Sequence, residues 1–296
     1  MMLSILIPTY NYDCSHLVGS LHSQCQQIAD TEGLDYEIIV ADDGSTDHDC
    51  IGKNEAIGQL PHCTFMRRDK NVGRSRIRNL LADMAHGDML LFLDQDGRVT
   101  TNDFVARFIT MGMNHKVVCG RMVQPPQPPE ARFHLRYFYE LRYQRQMTAE
   151  RLNSDSQSPF RSFCFLIHRE VALRVRMDEE FRGYGYEDVR YGLDLQAAGY
   201  TIVHADIPLM NDDIEDNPTY VAKTEEALRT LYAHRHSLGH STRLLCIANR
   251  LQKYGIMPLL RTAGRPLLPL LRRNLCSLHP GINLFNTYKI LYYASL

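Results

Sequence analysis

The sequence predicts an α/β fold in which a mostly parallel sheet is covered by helices on both faces. Three observations predict it. Short apolar runs alternate with helix-like segments through the first 120 residues. Polar motifs follow directly on the apolar runs, where ligands of such sheets bind. The last seventy residues break from this pattern and carry charge of one sign.

The apolar runs are "LSILI" (3–7), "YEIIVA" (36–41), "CTFM" (63–66), "MLLFL" (89–93) and "KVVCG" (116–120). Each is short enough for a strand and apolar enough to be buried on both faces. Segments near 15–29, 48–58, 74–85 and 102–113 read as the intervening helices. "QPPQPPE" (124–130) interrupts any regular element, because proline removes a donor and fixes φ. The aromatic and basic stretch after it reads as a helix. "RSFCFLIH" (161–168) reads as a strand, "VRYGLDLQAAGY" as a helix ending at Gly199, "TIVHA" as a strand and 219–236 as a helix.

The 33 Lys and Arg nearly balance the 34 Asp and Glu, but unevenly along the chain. No acid follows Glu226, and residues 227–296 hold ten Lys or Arg, which leaves 23 basic and 34 acidic residues in 1–226. The eight cysteines include no C-x-x-C pair, so the usual zinc and redox spacings are absent. The start lacks a basic n-region and a long apolar core, so no secretory signal is expected. No apolar run is long enough to span a bilayer. A cytoplasmic protein with reduced thiols is the expectation, and nothing suggests nucleic acid as a partner.

Five motifs sit at predicted strand or helix ends. "IPTYN" (7–11) closes the first strand; its Tyr10 can face a base, or the motif is only a strand-end loop. "ADDGSTD" (41–47) offers Asp42 and Asp43 as acceptors for a base or ribose, or else Asp43-Gly44 makes a turn before a capped helix. "KNVGRSRIRN" (70–79) opens a helix with glycine and arginines, suited to phosphate or to a solvated basic face. "LDQDG" (93–97) presents two hard carboxylates one residue apart, suited to Mg²⁺ or Mn²⁺ held jointly with phosphate oxygens, or to a turn at Asp96-Gly97. "GYGYED" (183–188) leads into a helix with adjacent carboxylates, able to act as a base or as a helix cap.

In this order and at these spacings, the motifs resemble glycosyltransferase family 2 over about residues 2–235. The resemblance implies the GT-A fold, with a Rossmann-like nucleotide-sugar half at 1–120, an acceptor half at 121–235 and a basic helical appendage at 236–296. It implies a nucleotide-sugar donor, usually uridine-based, bound by Pro8, Thr9, Tyr10, Asp42 and Asp43. Asn71, Gly73 and Arg78 would line the diphosphate and sugar. Asp94 and Asp96 form the D-x-D pair, with Asp96 on a Mn²⁺ or Mg²⁺ ion and Asp94 also serving ribose or sugar. Gly183, Tyr184, Gly185 and Tyr186 would form the acceptor loop, with Asp188 as base and Glu187 as its neighbour on the acceptor. Acceptor specificity would come from 121–160 and 182–186. The family's additional histidine ligand has no clear counterpart; Asn211 or Asp212 occupies its place, and His204 nearby reads as a strand residue. The implied reaction is an inverting transfer to a hydroxyl of a glycan or lipid-linked acceptor.

The stretch 243–276 mixes leucine and arginine without an acid. It suits a membrane interface at the inner face of the cell membrane, or packing on the body or on a partner. Two rival functions are a nucleotide- or glycan-binding module without transfer, and a haloacid-dehalogenase-like phosphatase suggested by "FLDQDGRV". In the phosphatase family this motif lies near the chain start and continues with Thr or Val, where Arg98 stands here.

Overall fold

A computed structural model describes residues 1–154 and 159–296. In chain order the elements begin with β1 (Met2–Thr9), α1 (Ser15–Glu32), β2 (Asp35–Asp42), α2 (His48–Glu55), β3 (Cys63–Arg67), α3 (Arg74–Met84) and β4 (Met89–Leu93). There follow β5 (Gly97–Val99), α4 (Phe104–Asn114), β6 (Val117–Val123), α5 (His134–Gln146), α6 (Ala149–Ser154), β7 (Cys164–His168) and α7 (Arg169–Arg174). The chain ends with α8 (Glu187–Ala197), β8 (Ile202–Asn211), α9 (Asn217–Ala233), α10 (Arg235–Leu238), α11 (Arg243–Lys253), α12 (Met257–Leu275) and α13 (Ile282–Ser295).

The chain divides into two compact units that are discontinuous in sequence. The first comprises 1–123, 147–182 and 191–213; the second comprises 124–146, 183–190 and 214–296. The first unit holds one sheet, in the order β3-β2-β1-β4-β7-β6-β8-β5 among the described residues. β3, β2, β1 and β4 run parallel, β7 is antiparallel to β4 and β6, and β8 is parallel to β6. Successive residues of the central strands serve opposite faces. Ile5, Ile7, Leu91 and Leu93 pack in one apolar cluster, and Leu6, Leu90 and Phe92 in the other. The sheet is therefore buried on both sides, which is why its strands read as continuous apolar runs.

Two features were not foreseen. β8 continues to Asn211, well beyond "TIVHA", and β5 follows the D-x-D turn as a three-residue strand against it, with Gly97 opposite Asn211. A run of three residues carries too little periodicity to be read before its partner is known.

In the second unit, α5, α9, α12 and α13 share a core of Leu135, Val221, Leu275, Phe285 and Tyr288. Asn217, fully buried, ties this unit together. Its Oδ1 accepts from Leu135 N–H at 2.8 Å, and its Nδ2 donates to the carbonyls of Ala131 at 3.2 Å and Ser277 at 2.8 Å. No helix among the described residues is long and apolar enough to cross a membrane.

Candidate active site

The carboxyl ends of β1, β2 and β4 collect the first four motifs within the first unit. β2 ends in Asp42, fully buried, and Asp43, nearly so. Both Asp43 oxygens are occupied by the loop that starts α3: Val72 N–H donates at 2.9 Å and Gly73 N–H at 3.0 Å. Burial pushes the Asp43 carboxyl upward, and those two amides and Arg68 pull it back. Asp42 differs. Its Oδ1 accepts from Ser45 N–H at 2.7 Å, while its Oδ2 is buried without a hydrogen-bond partner. Of the two aspartates, Asp42 thus keeps an acceptor to spare, and an unmet buried acceptor costs about 1–3 kcal/mol. Gly44 is required between them and the helix loop. Its φ is +80°, and a Cβ there would meet the Lys70 carbonyl carbon at 2.6 Å.

Thr9 is buried, and its Oγ1 donates to the Tyr12 carbonyl at 3.1 Å. Tyr10 is 43% exposed, so its ring is available to a ligand. Pro8 pairs with Ala41 in the sheet. Asn71 lies at the surface, and its Oδ1 accepts from Gly73 N–H at 3.1 Å. Gly73, with φ +91°, is the N-cap of α3. One turn on, Arg78 is buried and forms an ion pair with Asp94, its Nη2 donating to Oδ1. Helix α3 and the D-x-D turn are thereby joined by charge.

Asp96 stands at a different junction. Its backbone carbonyl accepts from Asp212 N–H at 2.8 Å, so the β5–β8 pairing brings Asp212 beside it. Asp212 also pairs with Arg98 at 3.1 Å. Burial first, and then the charges of Asp213, Asp96, Asp212 and Asp13, push the Tyr12 phenol up to about 12. The charges of Asp96, Asp212 and Asp213 thus all reach Tyr12. Among the described residues, no group of three or more His, Cys, Asp or Glu side chains is placed to hold a metal ion, so Asp96 offers its carboxylate as one hard oxygen donor and not as part of a preformed cage. Asn211 is buried in strand register opposite Gly97. His204 lies in β8 opposite Cys119, and burial, followed by Arg161, pushes it down to about 4. It is a neutral core residue.

The 183–188 loop, expected to meet the acceptor, belongs to the second unit and is seated on α9. Tyr184 N–H donates to Glu226 Oε1 at 3.0 Å. A Cβ on Gly183 would meet Thr230 Oγ1 at 2.6 Å, and one on Gly185, at φ +91°, would meet Ala227 Cβ at 2.9 Å. Tyr186, half-buried, takes a positive φ of 69°, a strained value for a tyrosine. Burial first, and the Asp188 charge next, push its phenol upward. Glu187 is buried and Asp188 half-buried in the first turn of α8, where the helix dipole favours carboxylates. Asp188 Oδ1 accepts from Val189 N–H at 2.7 Å. Of the expected acceptor segment 121–160, residues 155–158 lie outside the described residues.

Sequence reading missed several members of these sites. Gln95, the middle of D-x-D, latches the first loop: its Oε1 accepts from Tyr10 N–H at 2.6 Å and its Nε2 donates to the Tyr10 carbonyl at 3.3 Å. Asn11, at φ 49°, accepts from Thr46 and Asp47 N–H at 2.8 and 3.0 Å. An asparagine two residues past the end of a strand was the available signal, since Asn tolerates the left-handed region. Tyr12, Asp213 and Glu226 had none.

The description "Glycosyl transferase family 2" matches residues 4–175, more than half of the chain. The chain belongs to glycosyltransferase family 2. As a family 2 member it is similar to "Uncharacterized glycosyltransferase YfnE" of Bacillus subtilis (strain 168), 37% identical over 122 residues, which are 40% of this chain and 30% of that protein. The chain spans under half the length of the curated relatives YfnE and a Haemophilus influenzae glycosyltransferase. Among solved structures, the mannosyltransferase PcManGT from Pyrobaculum calidifontis, in complex with GDP-Man and Mn²⁺, matches with a TM-score of 0.61 at 15% identity. That match covers 99% of this family 2 chain and 85% of the other. Glucosyl-3-phosphoglycerate synthase from Mycobacterium tuberculosis, with Mn²⁺, UDP and glucosyl-3-phosphoglycerate, matches with a TM-score of 0.51 at 15% identity, over 78% of this chain and 79% of that one. Such likenesses identify the GT-A fold, whose mostly parallel sheet and flanking helices this family 2 chain has. Family membership sets the phosphatase alternative aside.

Proposed function

We propose that the chain is an inverting, divalent-cation-dependent glycosyltransferase that moves a sugar from a UDP-sugar to a hydroxyl of a glycan or lipid-linked acceptor. The observation that carries this reading is the Arg78–Asp94 ion pair, which ties the N-x-G helix start to the D-x-D turn at the end of β4. A helix N-terminus and an arginine beside a carboxylate turn are what a bound diphosphate needs. Mn²⁺- and UDP-bound structural neighbours support the donor class.

In this reading Asp42, Thr9 and Tyr10 receive the base and ribose, and Asp43 shapes the diphosphate loop through its amide bonds. Asn71, Gly73 and Arg78 line the diphosphate. Asp96, with Asp212 beside it, would hold the cation, and Asp94 orients ribose or sugar. A bound cation supplies Lewis-acid neutralisation of the diphosphate. Asp188 takes the acceptor hydroxyl's proton. The oxygen forms its bond to the anomeric carbon as the bond to the diphosphate oxygen breaks, and the diphosphate leaves with the electron pair. Glu187 and Tyr184 position the acceptor.

The test is a screen of UDP- and GDP-sugars for Mn²⁺-dependent turnover, followed by Asp188→Asn. Loss of a general base predicts about a 10²–10⁴-fold fall in turnover with UDP affinity unchanged. Full turnover by Asp188→Asn would overturn the base assignment. Mn²⁺-dependent UDP binding without transfer from any donor would favour a binding module.

A further inference from the structure

The two units differ sharply in charge. The first carries 17 Lys and Arg against 26 Asp and Glu, the second 16 against 8, a formal balance of −9 and +8. The second unit is also where exposed apolar surface gathers. Of the twelve large apolar side chains exposed among the described residues, seven lie between 254 and 284. That concentration is too high for the scatter expected of any soluble surface.

The exposed residues follow a helical period. One side of α12 faces the core: Gly264 is buried against Leu291 of α13, and Leu268, Leu271 and Leu275 join the same cluster. Positions 259, 263, 266 and 270 recur at three- and four-residue steps on another side. There Leu259 is 67% exposed and Leu270 65%, with Ala263 and Pro266 also exposed. Leu267 borders this stripe, and Tyr254 and Ile256 extend it at the turn before α12. Lys253, Arg265 and Arg273 are exposed along the same stretch. A helix that packs with one apolar face and exposes a second, among cations and without one acid, has the composition of an interfacial helix.

We propose that α12 and the turn before it dock on an anionic lipid surface. The leucine stripe would enter the boundary of headgroups and acyl chains, with the basic side chains on lipid phosphates. Charge argues against a second copy meeting this face symmetrically, since +8 would meet +8. Size argues against a stable protein partner. Such an interface buries about 800 Å² per side, and a stripe one helix wide offers only a fraction of that. The proposal stands apart from the transferase reading, because it requires neither donor nor acceptor.

The test is flotation of the full chain with vesicles of phosphatidylcholine alone or mixed with phosphatidylglycerol, without nucleotide. The expected result is at least about tenfold more bound protein on the anionic vesicles, reduced by salt. Leu259→Ser/Leu270→Ser and Arg265→Glu/Arg273→Glu should each abolish most of that binding while keeping the wild-type circular dichroism spectrum and melting curve. UDP titration of the same samples should be unaltered. Failure to float on anionic vesicles would overturn the proposal, as would equal binding by the leucine variant. Concentration-dependent dimers lost in the leucine variant, without flotation, would assign the stripe to a copy of this chain instead.

Discussion

Glu226 Oε1 accepts the backbone N–H of Tyr184 at 3.0 Å, so one side chain of α9 fixes the first tyrosine of the 183–186 loop. The loop's two glycines lie against Ala227 and Thr230 of the same helix. The spacing of Glu226, Ala227 and Thr230 puts all three on one side of α9.

Glu226→Ala should therefore loosen the loop without touching the donor side. Turnover is expected to fall by about tenfold or more, since misplacement near 1 Å costs about a hundredfold. Glu226→Gln retains the accepting oxygen and should restore most of the rate. Steady-state kinetics together with UDP calorimetry checks this. Equal loss in both variants would point to charge instead of loop position.

Arg78 and Asp94 should be coupled in stability. Arg78 is 3% exposed and Asp94 20%. Arg78→Met leaves a largely buried carboxylate without its cation and is expected to cost about 3 kcal/mol in urea unfolding. The double variant Arg78→Met/Asp94→Asn should recover about 1 kcal/mol or more of it. Strictly additive losses would show that the pair is not coupled.

Asn217→Ala removes three hydrogen bonds at once. The buried Leu135 N–H and the Ala131 and Ser277 carbonyls lose their partner, at a cost of about 2–3 kcal/mol. Thermal unfolding reads this directly. A melting point within error of wild type would contradict the role given to Asn217.

His204 sets a pH dependence. Its folded-state value is pushed down to about 4, against 6.5 for an ordinary histidine. Well above pH 6.5 both states are neutral and the stability it allows is complete. As pH falls toward 4 the unfolded chain takes up the proton first, and stability declines by on the order of 1–2 kcal/mol between pH 6.5 and 5. His204→Gln should flatten that part of the profile. An unchanged slope in urea unfolding at pH 7 and 5 would reject the assignment.

The strands of the sheet were legible because burial on both faces demands unbroken apolar runs, as Leu90 to Leu93 display. The D-x-D turn was legible because it follows such a run. The partition of work within the motifs was not. That Asp43 spends both oxygens on Val72 and Gly73, while Asp42 keeps one unmet, follows from how β2 and the α3 loop approach each other. The latch of Gln95 on Tyr10 joins residues 85 positions apart. The grouping of the C-terminal helices with 124–146 arises through Asn217 and Leu135, side chains with no local signature.

The short strand β5 bears on how the protein matures. It ends the sheet order, and β8 is the neighbour it pairs with. Residues 209–212 hold the carboxylate end of the D-x-D turn, although that turn is made more than a hundred residues earlier. During synthesis, β1 to β4 can emerge and pair while Asp96 still lacks its hydrogen bond from Asp212. Nucleotide affinity should accordingly appear late on the ribosome, once β8 has been threaded beside β6, and not when the D-x-D turn itself is translated.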